Sequence, residues 1–279
     1  MSHKVAFITG ASRGIGAESA VALARAGYRV AITARTLAEG EAHDHAGRTT
    51  VLPGSLEATA AAIEREGSEA LCLPADILDE ASVLSAATAT LDHFGHIDLL
   101  FNNAVYQGSG NLERLMDVNS EQVRAIYQGN VFTPLALVQA VLPGMLARGS
   151  GTVINMASGS AFRNPPAAGD KGGWGFAYPS SKAAVSRMAG SLRAEHPNSG
   201  LRIFNLEPGT VITEVMRMLE IDKPIEALFK PCSPAAIAAV VAWLAENEPL
   251  ADWTPDDILA APAIAKQLNL LQTPSLLES

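Results

Sequence analysis

The stretch KVAFITGASRGIG, residues 4–16, decides the fold of the chain. Its first six residues are mostly apolar, as in a buried strand, and glycines follow at positions 10, 14 and 16. From Ile15 onward, small and apolar residues recur every three or four positions, which predicts one face of a helix. A strand that passes through a glycine turn into a helix is typical of α/β folds that bind a dinucleotide.

Short apolar runs continue to alternate with helical stretches along the chain. Strands are predicted at residues 4–9, 28–34, 70–74, 97–102, 151–156 and 201–206, and helices at about 55–66, 79–94, 119–147, 178–195 and 234–247. The alternation predicts a doubly wound parallel α/β sheet of Rossmann type. We expect a single domain over residues 1–279, with a Pro-punctuated, divergent C-terminal tail from about residue 249 and a weak strand near 256–261.

Composition excludes several classes of function. The 279 residues carry a formal net charge of −9 without a Lys/Arg cluster, which argues against nucleic acid and against an anionic membrane surface. There is neither an apolar run of about 20 residues nor a signal peptide pattern in the sequence, so a soluble, cytoplasmic protein is expected. Cys72 and Cys232 are too few for a disulfide scaffold or metal site, and HDH at 43–45 is expected to be a solvated loop.

The glycine turn is a candidate phosphate site. Glycine lets the backbone approach a ligand closely, and the N-terminus of the following helix offers free N–H groups and partial positive charge to a pyrophosphate. A tight turn without a ligand is the alternative. The expected cofactor-binding residues of the turn are Gly10, Ser12, Arg13, Gly14, Ile15 and Gly16.

The end of the second strand indicates which dinucleotide is preferred. Folds that bind NAD usually carry Asp or Glu there, on the adenosine ribose, whereas this chain reads TARTL at 33–37. Arg35 and Arg13 are placed to hold a 2′-phosphate, which predicts NADP(H) over NAD(H). The alternative is that Arg35 only caps a solvated loop.

Two further strand ends carry candidate cofactor residues. Asp76, followed by Ile77, ends the third predicted strand, where a carboxylate can accept from the adenine amino group; helix capping is its competing role. After the fourth predicted strand, NNA at 102–104 places Asn103 and Ala104 at the same edge, where amides can brace strands and contact ribose.

Tyr178 lies four positions before Lys182, so the two side chains share one helix face. Such a pair is often mere surface decoration. A free phenol is a weak base at neutral pH, and a neighbouring ammonium favours its phenolate form. The pair is therefore a candidate proton carrier with an electrostatic activator.

In this ordered combination of motifs the chain resembles the short-chain dehydrogenase/reductase family from about residue 4 to 214. The resemblance rests on Gly10, Gly14 and Gly16, ADI at 75–77, NNA at 102–104, Asn130, Ser158, YPSSK at 178–182 and EPGTVIT at 207–213. It implies a single Rossmann-type domain, a nicotinamide cofactor, a homodimer or homotetramer, and hydride transfer between an alcohol and a carbonyl on a small-molecule substrate.

The resemblance also implies catalytic roles. Tyr178 would be the general acid/base, and Lys182 would support it and hold the nicotinamide ribose. Ser158 would hydrogen-bond the substrate oxygen, with Ser160 as a nearby substitute. Asn130 would position a water in the proton relay, or bridge backbone groups at a helix irregularity. Val211 and Thr213 would hold the nicotinamide carboxamide.

The chain departs from the family pattern in three places. Val105 follows NNA where glycine is common, and a Gly-rich insertion at 164–175 lengthens the segment between Ser158 and Tyr178. That loop is expected either to wall the substrate site, as a lid, or to form a subunit contact. An apolar substrate is expected from the residues after the PGTVIT turn, namely Met216, Met218, Leu219, Leu228 and Phe229. The divergent tail leaves the tetramer open.

The sequence is also compatible with two other functions. A catalytically silent dinucleotide-binding scaffold or regulator would keep the fold without turnover. A related enzyme would reduce a conjugated C=C bond instead, although Ser158 together with the Tyr178 and Lys182 spacing favours carbonyl chemistry.

Overall fold

A computed structural model describes residues 3–45, 47–248 and 258–270 of the chain. The strands are β1 (Lys4–Thr9), β2 (Tyr28–Ala34), β3 (Ala42–His45), β4 (Arg48–Val51), β5 (Ala70–Pro74), β6 (Leu99–Asn102), β7 (Gly151–Met156), β8 (Leu201–Glu207) and β9 (Ile258–Ala260). Seven of them form one parallel sheet in the order β5-β2-β1-β6-β7-β8-β9. β3 and β4 form a separate antiparallel hairpin.

Helices cover both faces of the sheet. Their bounds are α1 (Gly14–Arg25), α2 (Leu56–Arg65), α3 (Glu80–Phe94), α4 (Ser120–Tyr127), α5 (Thr133–Arg148), α6 (Ala177–Glu195), α7 (Glu214–Met218), α8 (Asp222–Leu228), α9 (Pro234–Glu246) and α10 (Ala261–Gln267). A single π turn, Gln128–Phe132, joins α4 to α5. This architecture confirms the predicted Rossmann-type sheet.

Two hydrophobic cores lie on opposite faces of the sheet. Because side chains alternate along a strand, the neighbours Phe7 and Ile8 of β1 belong to different cores, and both are fully buried. The first core packs under α1, α9 and α10, and the second under α3 and α5. Strands buried on both faces read as continuous apolar runs, which is why the sequence marks them clearly.

The hairpin β3–β4 corrects one expectation. Residues 43–45 do not form a solvated loop; they lie in β3, and the exposed fraction of His45 is only 3%. The hairpin is short, polar and apart from the main sheet, so it lacks the apolar periodicity that marks the other strands. The weakly predicted strand near 256–261 is confirmed as β9 within the described residues, and residues 249–257 of the tail lie outside them.

One continuous helical stretch, Ser120–Arg148, is long and apolar enough to cross a membrane, since an 18-residue window within it has a mean hydropathy of 1.5. It is the crossover from β6 to β7, and its side chains Leu137, Val141 and Met145 are buried in the second core. Its apolar character is therefore explained by packing against the sheet. Length and composition alone carry no membrane assignment for such a helix.

Candidate active site

A cavity of about 940 Å³ opens at the carboxyl ends of the parallel strands. It lies beside β1, whose neighbours β2 and β6 are reached by crossovers in opposite directions. Ligands of open α/β sheets bind at such a switch point. The predicted cofactor residues all line the cavity: Gly10, Ser12, Arg13, Gly14, Ile15, Gly16, Arg35, Asp76, Ile77, Asn103, Ala104, Val211 and Thr213. So do Ser158, Tyr178 and Lys182, whereas Asn130 lies behind its wall.

The glycine turn forms a cradle that side chains would fill. Gly10 and Gly14 have φ of +70° and +56°, in the left-handed region that favours glycine. A Cβ atom at Gly16 would collide with the carbonyl of Gly10 and lie 2.7 Å from Asn103 Nδ2. Asn103 Nδ2 in turn donates to the carbonyls of Thr9 and Gly10 at 2.9 and 3.1 Å. The bare backbone at the start of α1 fits the close approach of a pyrophosphate.

The end of β6 fixes the opposite side of this cradle. The hydroxyl of Thr9 accepts from the backbone N–H groups of Asn103 and Ala104 at 3.1 and 3.0 Å. A Cβ atom at Gly10 would lie 2.8 Å from the Cα of Ala104. Asn103 thus braces two strand ends, as the sequence predicted, and Val105 follows as a further lining residue of the cavity.

Arg13 is anchored in place by backbone carbonyls. Its Nε donates to Pro53 O at 2.8 Å, and its Nη2 contacts the hydroxyl of Thr36 at 3.2 Å and Gly54 O at 3.0 Å. These bonds hold the guanidinium beside the cavity next to Arg35. Burial lowers the pKa of Arg13, which still leaves the group cationic at any physiological pH.

Arg35 contacts the β3–β4 hairpin as well as the cavity. Its Nη2 donates to Asp44 O at 3.2 Å and lies 3.5 Å from His45 Nδ1. The hairpin therefore supports Arg35 at the end of β2. His45 lines the same part of the cavity, a position that no pattern in the sequence predicts.

Helix capping, the competing role predicted for Asp76, is performed by a different residue. Asp79, not Asp76, is the N-cap of α3, where it accepts from Ser82 N at 3.3 Å. Asp76 Oδ1 accepts from Leu78 N at 2.9 Å, and Asp76 lines the cavity beside Ile77. The geometry thus keeps a carboxylate available for a ligand donor.

Tyr178 and Lys182 project from the first two turns of α6 into the cavity. Lys182 Nζ donates to Met156 O at 2.7 Å, at the end of β7, and lies 5.9 Å from the centroid of the Tyr178 ring. Ser158 follows β7; its hydroxyl lies 2.9 Å from that of Ser160 and is near enough to the Tyr178 phenol to lower the pKa of that group. The three predicted catalytic groups therefore meet at one place.

Burial controls the protonation of this group. It raises the pKa of Tyr178, and the nearby Ser158 side chain opposes that shift only in part. It also lowers the pKa of Lys182 to about 8. Burial therefore dominates the protonation of Tyr178 in the ligand-free chain, and the expectation that Lys182 shifts the phenol toward phenolate stays a prediction.

Asn130 occupies the π turn and is buried, with 2% of its surface exposed. Its Oδ1 accepts from Tyr106 N at 2.9 Å, and its Nδ2 donates to Ser181 Oγ at 3.0 Å. The side chain therefore bridges groups at a helix irregularity, which is one of its two predicted roles. It ties the segment after β6 to the helix that carries Tyr178.

The turn after β8 brings Val211 and Thr213 to the cavity. Thr213 is the N-cap of α7, and its hydroxyl accepts from Met216 N at 3.2 Å. Cys232 braces the same turn, since its thiol donates to Pro208 O at 3.0 Å, and burial raises its pKa to about 11. That thiol is a structural group without nucleophilic character.

The insertion at 164–175 forms a wall of the cavity, not a detached loop. Gly169 packs against the carbonyl of Leu112, and Trp174 stacks on Phe229 with ring centroids 5.9 Å apart. Asp170 forms an ion pair with Arg114 at 2.8 Å. Of the predicted apolar side chains, Met216, Leu219 and Phe229 line the cavity, whereas Met218 and Leu228 are absent from its lining.

Several charged residues of the cavity lining were missed by the sequence reasoning, among them Glu113, Arg163 and Glu207. Glu113 and Arg163 lie in irregular segments without a pattern to mark them. Glu207 ends β8 directly before the PGTVIT turn, so its position at a strand end was a usable signal. Its carboxylate packs against Gly159 and lies 3.9 Å from Arg163. The substrate half of the cavity is thus apolar with a charged margin.

Comparisons with known proteins agree with this geometry. The family model for short chain dehydrogenases matches residues 4–224. The 2-(R)-hydroxypropyl-CoM dehydrogenase of Xanthobacter autotrophicus is 32% identical over 79% of either chain, and the 2-keto-3-deoxy-L-fuconate dehydrogenase of Xanthomonas campestris is 30% identical over 89% of this chain and 76% of its own. A metagenomic short-chain oxidoreductase crystallised with NADP superposes with a TM-score of 0.68 and 28% identity, covering 93% of this chain and 98% of the other.

Proposed function

The chain belongs to the short-chain dehydrogenase family, and from that premise we propose that it is an NADP(H)-preferring enzyme that interconverts a ketone or aldehyde with the corresponding alcohol. As a family member it is an NAD(P)-dependent dehydrogenase or reductase. The observation that carries the proposal is the meeting of Ser158, Tyr178 and Lys182 in the cavity that also receives the glycine turn.

The residues at the cavity fit a nicotinamide dinucleotide. The glycine turn would hold the pyrophosphate, Asp76 the adenine amino group, and Asn103 and Ala104 the adenosine side of the cofactor. Lys182 would hold the nicotinamide ribose, and the segment from Val211 to Thr213 the carboxamide. When bound, the cofactor supplies or accepts the hydride.

The chain's own residues would move the proton. With its pKa raised by burial, Tyr178 keeps its phenolic proton at neutral pH and can donate it to a carbonyl oxygen 2.6–3.2 Å away, which is about the usual hydrogen-bond reach. Ser158 would donate to the same oxygen and share the charge that develops on it. Protonated Lys182 would then stabilise the phenolate that remains, and Asn130 would keep α6 in position.

Charge supports the preference for NADP(H). Arg13 and Arg35 line the cavity at the end of β2, where no acid stands to bind the ribose diol of NAD(H). The 28% identical structure with NADP shows that a related fold accepts this cofactor. Two guanidiniums at one place suit a dianionic phosphate and offer little to a neutral hydroxyl.

The apolar part of the wall supports an apolar small-molecule substrate. We further propose a soluble cytoplasmic enzyme that acts as a homodimer or homotetramer without nucleic acid or membrane partners. The domain is proposed to span residues 1–279, of which the family model covers 4–224.

The first experiment compares the affinities of the purified protein for NADPH and NADH. We expect NADPH to bind at least tenfold more tightly, which equals about 1.4 kcal/mol. Comparable affinities would contradict the cofactor preference, and binding of neither would contradict the cofactor role.

The second experiment tests the chemistry with a panel of apolar ketones and aldehydes. Tyr178→Phe should lose about 10²-fold or more of turnover, because it removes the proton donor, while its affinity for NADPH stays unchanged. Full turnover by this variant would contradict the mechanism. A parent that binds cofactor but converts no carbonyl would favour the silent scaffold or, with an enone reduced at its C=C bond, the alternative reductase.

A further inference from the structure

His45 is a buried imidazole at the cofactor cavity that the mechanism does not use. It lies at the end of β3, with 3% of its surface exposed, and it lines the cavity together with Arg13 and Arg35. The hairpin β3–β4 holds His45 in this position. In its antiparallel register, His45 pairs with Arg48. The chain thus places a titratable imidazole next to two guanidiniums.

The contact with Arg35 fixes which nitrogen carries the proton. Arg35 Nη2 lies 3.5 Å from His45 Nδ1, and a guanidinium can only donate. Nδ1 must therefore accept, which leaves the proton of the neutral imidazole on Nε2. Among the described residues, Nε2 has no hydrogen-bond partner, so a donor remains unused in a cavity-lining side chain.

The charges around His45 are predominantly positive. Arg35 faces it from the end of β2, Arg13 from the glycine turn, and His43 and Asp44 from its own strand. Burial, followed by the charges of Arg35 and Arg13, lowers the pKa of His45 to about 4, and Asp44 opposes this only weakly. An anion placed among these groups would reverse the balance of charge.

We propose that His45 is a third ligand of the cofactor's 2′-phosphate, which it binds through Nε2–H, while Nδ1 takes up a proton from solvent and gives up its contact with Arg35. The dianionic phosphate makes the imidazolium favourable, so binding and protonation are coupled. This inference rests on the proposed preference for NADP(H) and adds a residue to it. It predicts that His45 affects ligands with a 2′-phosphate and no others.

The test uses two probes that differ at the 2′ position, adenosine 2′,5′-bisphosphate and 5′-ADP, with calorimetric titration of the full chain at pH 6.5. His45→Ala removes both the donor and the titrating group, whereas His45→Gln retains a donor near Nε2 but cannot take up a proton. We expect His45→Ala to bind the bisphosphate about tenfold more weakly. His45→Gln should lose less affinity, and both should bind 5′-ADP as the parent does.

Proton uptake gives a readout that a purely structural role would not change. Titrations in two buffers of different ionisation enthalpy give the number of protons bound with the bisphosphate. We expect the parent to take up more protons than His45→Gln. The difference between these two proteins cancels the titration of the phosphate itself. Equal uptake, unchanged affinity of His45→Ala, or an equal loss for both probes would overturn the proposal.

Two further variants separate this failure from that of the proposed function. His43→Gln, on the same strand but outside the cavity lining, should behave as the parent. Arg35→Ala should lose affinity for the bisphosphate whether or not His45 binds the 2′-phosphate. If Arg35→Ala weakens binding and His45→Ala does not, only the role of His45 fails. If the parent itself binds both probes equally, the proposed NADP(H) preference fails.

Discussion

At the scale of single residues, Lys182 links the structure to the pH dependence of the reaction. Its pKa of about 8 means that the free enzyme loses this cation within reach of physiological pH. Carbonyl reduction also needs the Tyr178 phenol to be protonated. Burial raises the pKa of that group, so it stays protonated to a higher pH than a free phenol does. Lys182 should therefore set the alkaline limit of activity.

We predict that kcat/KM for carbonyl reduction is level below about pH 8 and falls roughly tenfold per pH unit above it, since kcat/KM at saturating NADPH reports the enzyme–NADPH complex, in which we expect Lys182 to titrate as in the free chain. The measurement is a pH profile at saturating NADPH and low substrate. Ser158→Ala should lower the whole profile without moving its alkaline limb. A profile that stays flat to pH 9.5 would rule out Lys182 as the titrating group.

The same burial should cost stability. The pKa of Lys182 is below its ordinary value of 10.5, so the unfolded chain binds more protons between about pH 8 and 10.5, and stability rises with pH across that window. We predict that Lys182→Met unfolds in urea with a free energy about 1 kcal/mol higher at pH 7 and little changed at pH 10.5, while turnover is lost. A destabilised variant at pH 7 would show that the bond to Met156 O outweighs desolvation.

Residues with a fixed spacing were predictable and their protonation was not. Tyr178 and Lys182 share a helix face because of their separation alone, and Ser158 follows a strand that reads clearly from its apolar run. The raised pKa of Tyr178 depends on how completely the finished fold excludes water from it. Chain spacing carries no information about that burial.

At the scale of elements, the sequence predicts what local periodicity determines. The six predicted strands of the sheet agree with the structure to within two residues at each end, because buried parallel strands are continuous apolar runs. The predicted helix at 119–147 is instead interrupted by a π turn at Asn130, whose amide bonds to Tyr106 and Ser181. Those partners lie far away in sequence, so only the tertiary structure reveals them.

The wall loop gives a prediction at this scale. A Cβ atom at Gly169 would collide with the carbonyl of Leu112, which would force the loop away from the cavity. We predict that Gly169→Ala raises KM for the carbonyl substrate several-fold and leaves the affinity for NADPH unchanged. Steady-state kinetics and a cofactor titration measure the two quantities.

Gly190→Ala is the matched control. Gly190 lies within α6, where an added Cβ meets nothing within 4 Å. This variant should keep the parent KM and gain about 0.5–1 kcal/mol of stability from better helix propensity. An unchanged KM in Gly169→Ala would mean that the loop does not shape the substrate site.

At the scale of the whole molecule, the distribution of charge matters more than its sum. The chain has a formal net charge of −9, yet the cavity end of β2 concentrates Arg13 and Arg35. Doubly wound folds bring the carboxyl ends of all parallel strands to one edge of the sheet, so the sequence could predict which residues meet there. It could not predict how the hairpin and the wall loop close over them, since both are irregular in pattern.

The outer face of the long helical stretch 120–148 gives the last prediction. Phe132 and Leu135 are 47% and 38% exposed, although an 18-residue window of this stretch has a mean hydropathy of 1.5. A second copy of the chain is the occupant that suits a large apolar face, because specific interfaces bury about 800 Å² per partner. We expect light scattering to show a homodimer or homotetramer, and Phe132→Asp with Leu135→Asp to yield the 29.1 kDa monomer with unchanged affinity for NADPH.

Val51→Asp, at an exposed apolar residue of β4, should leave the mass of the parent assembly unchanged. A parent that is monomeric at micromolar concentration would contradict the proposed assembly, and a double variant that remains assembled would move the interface to another face.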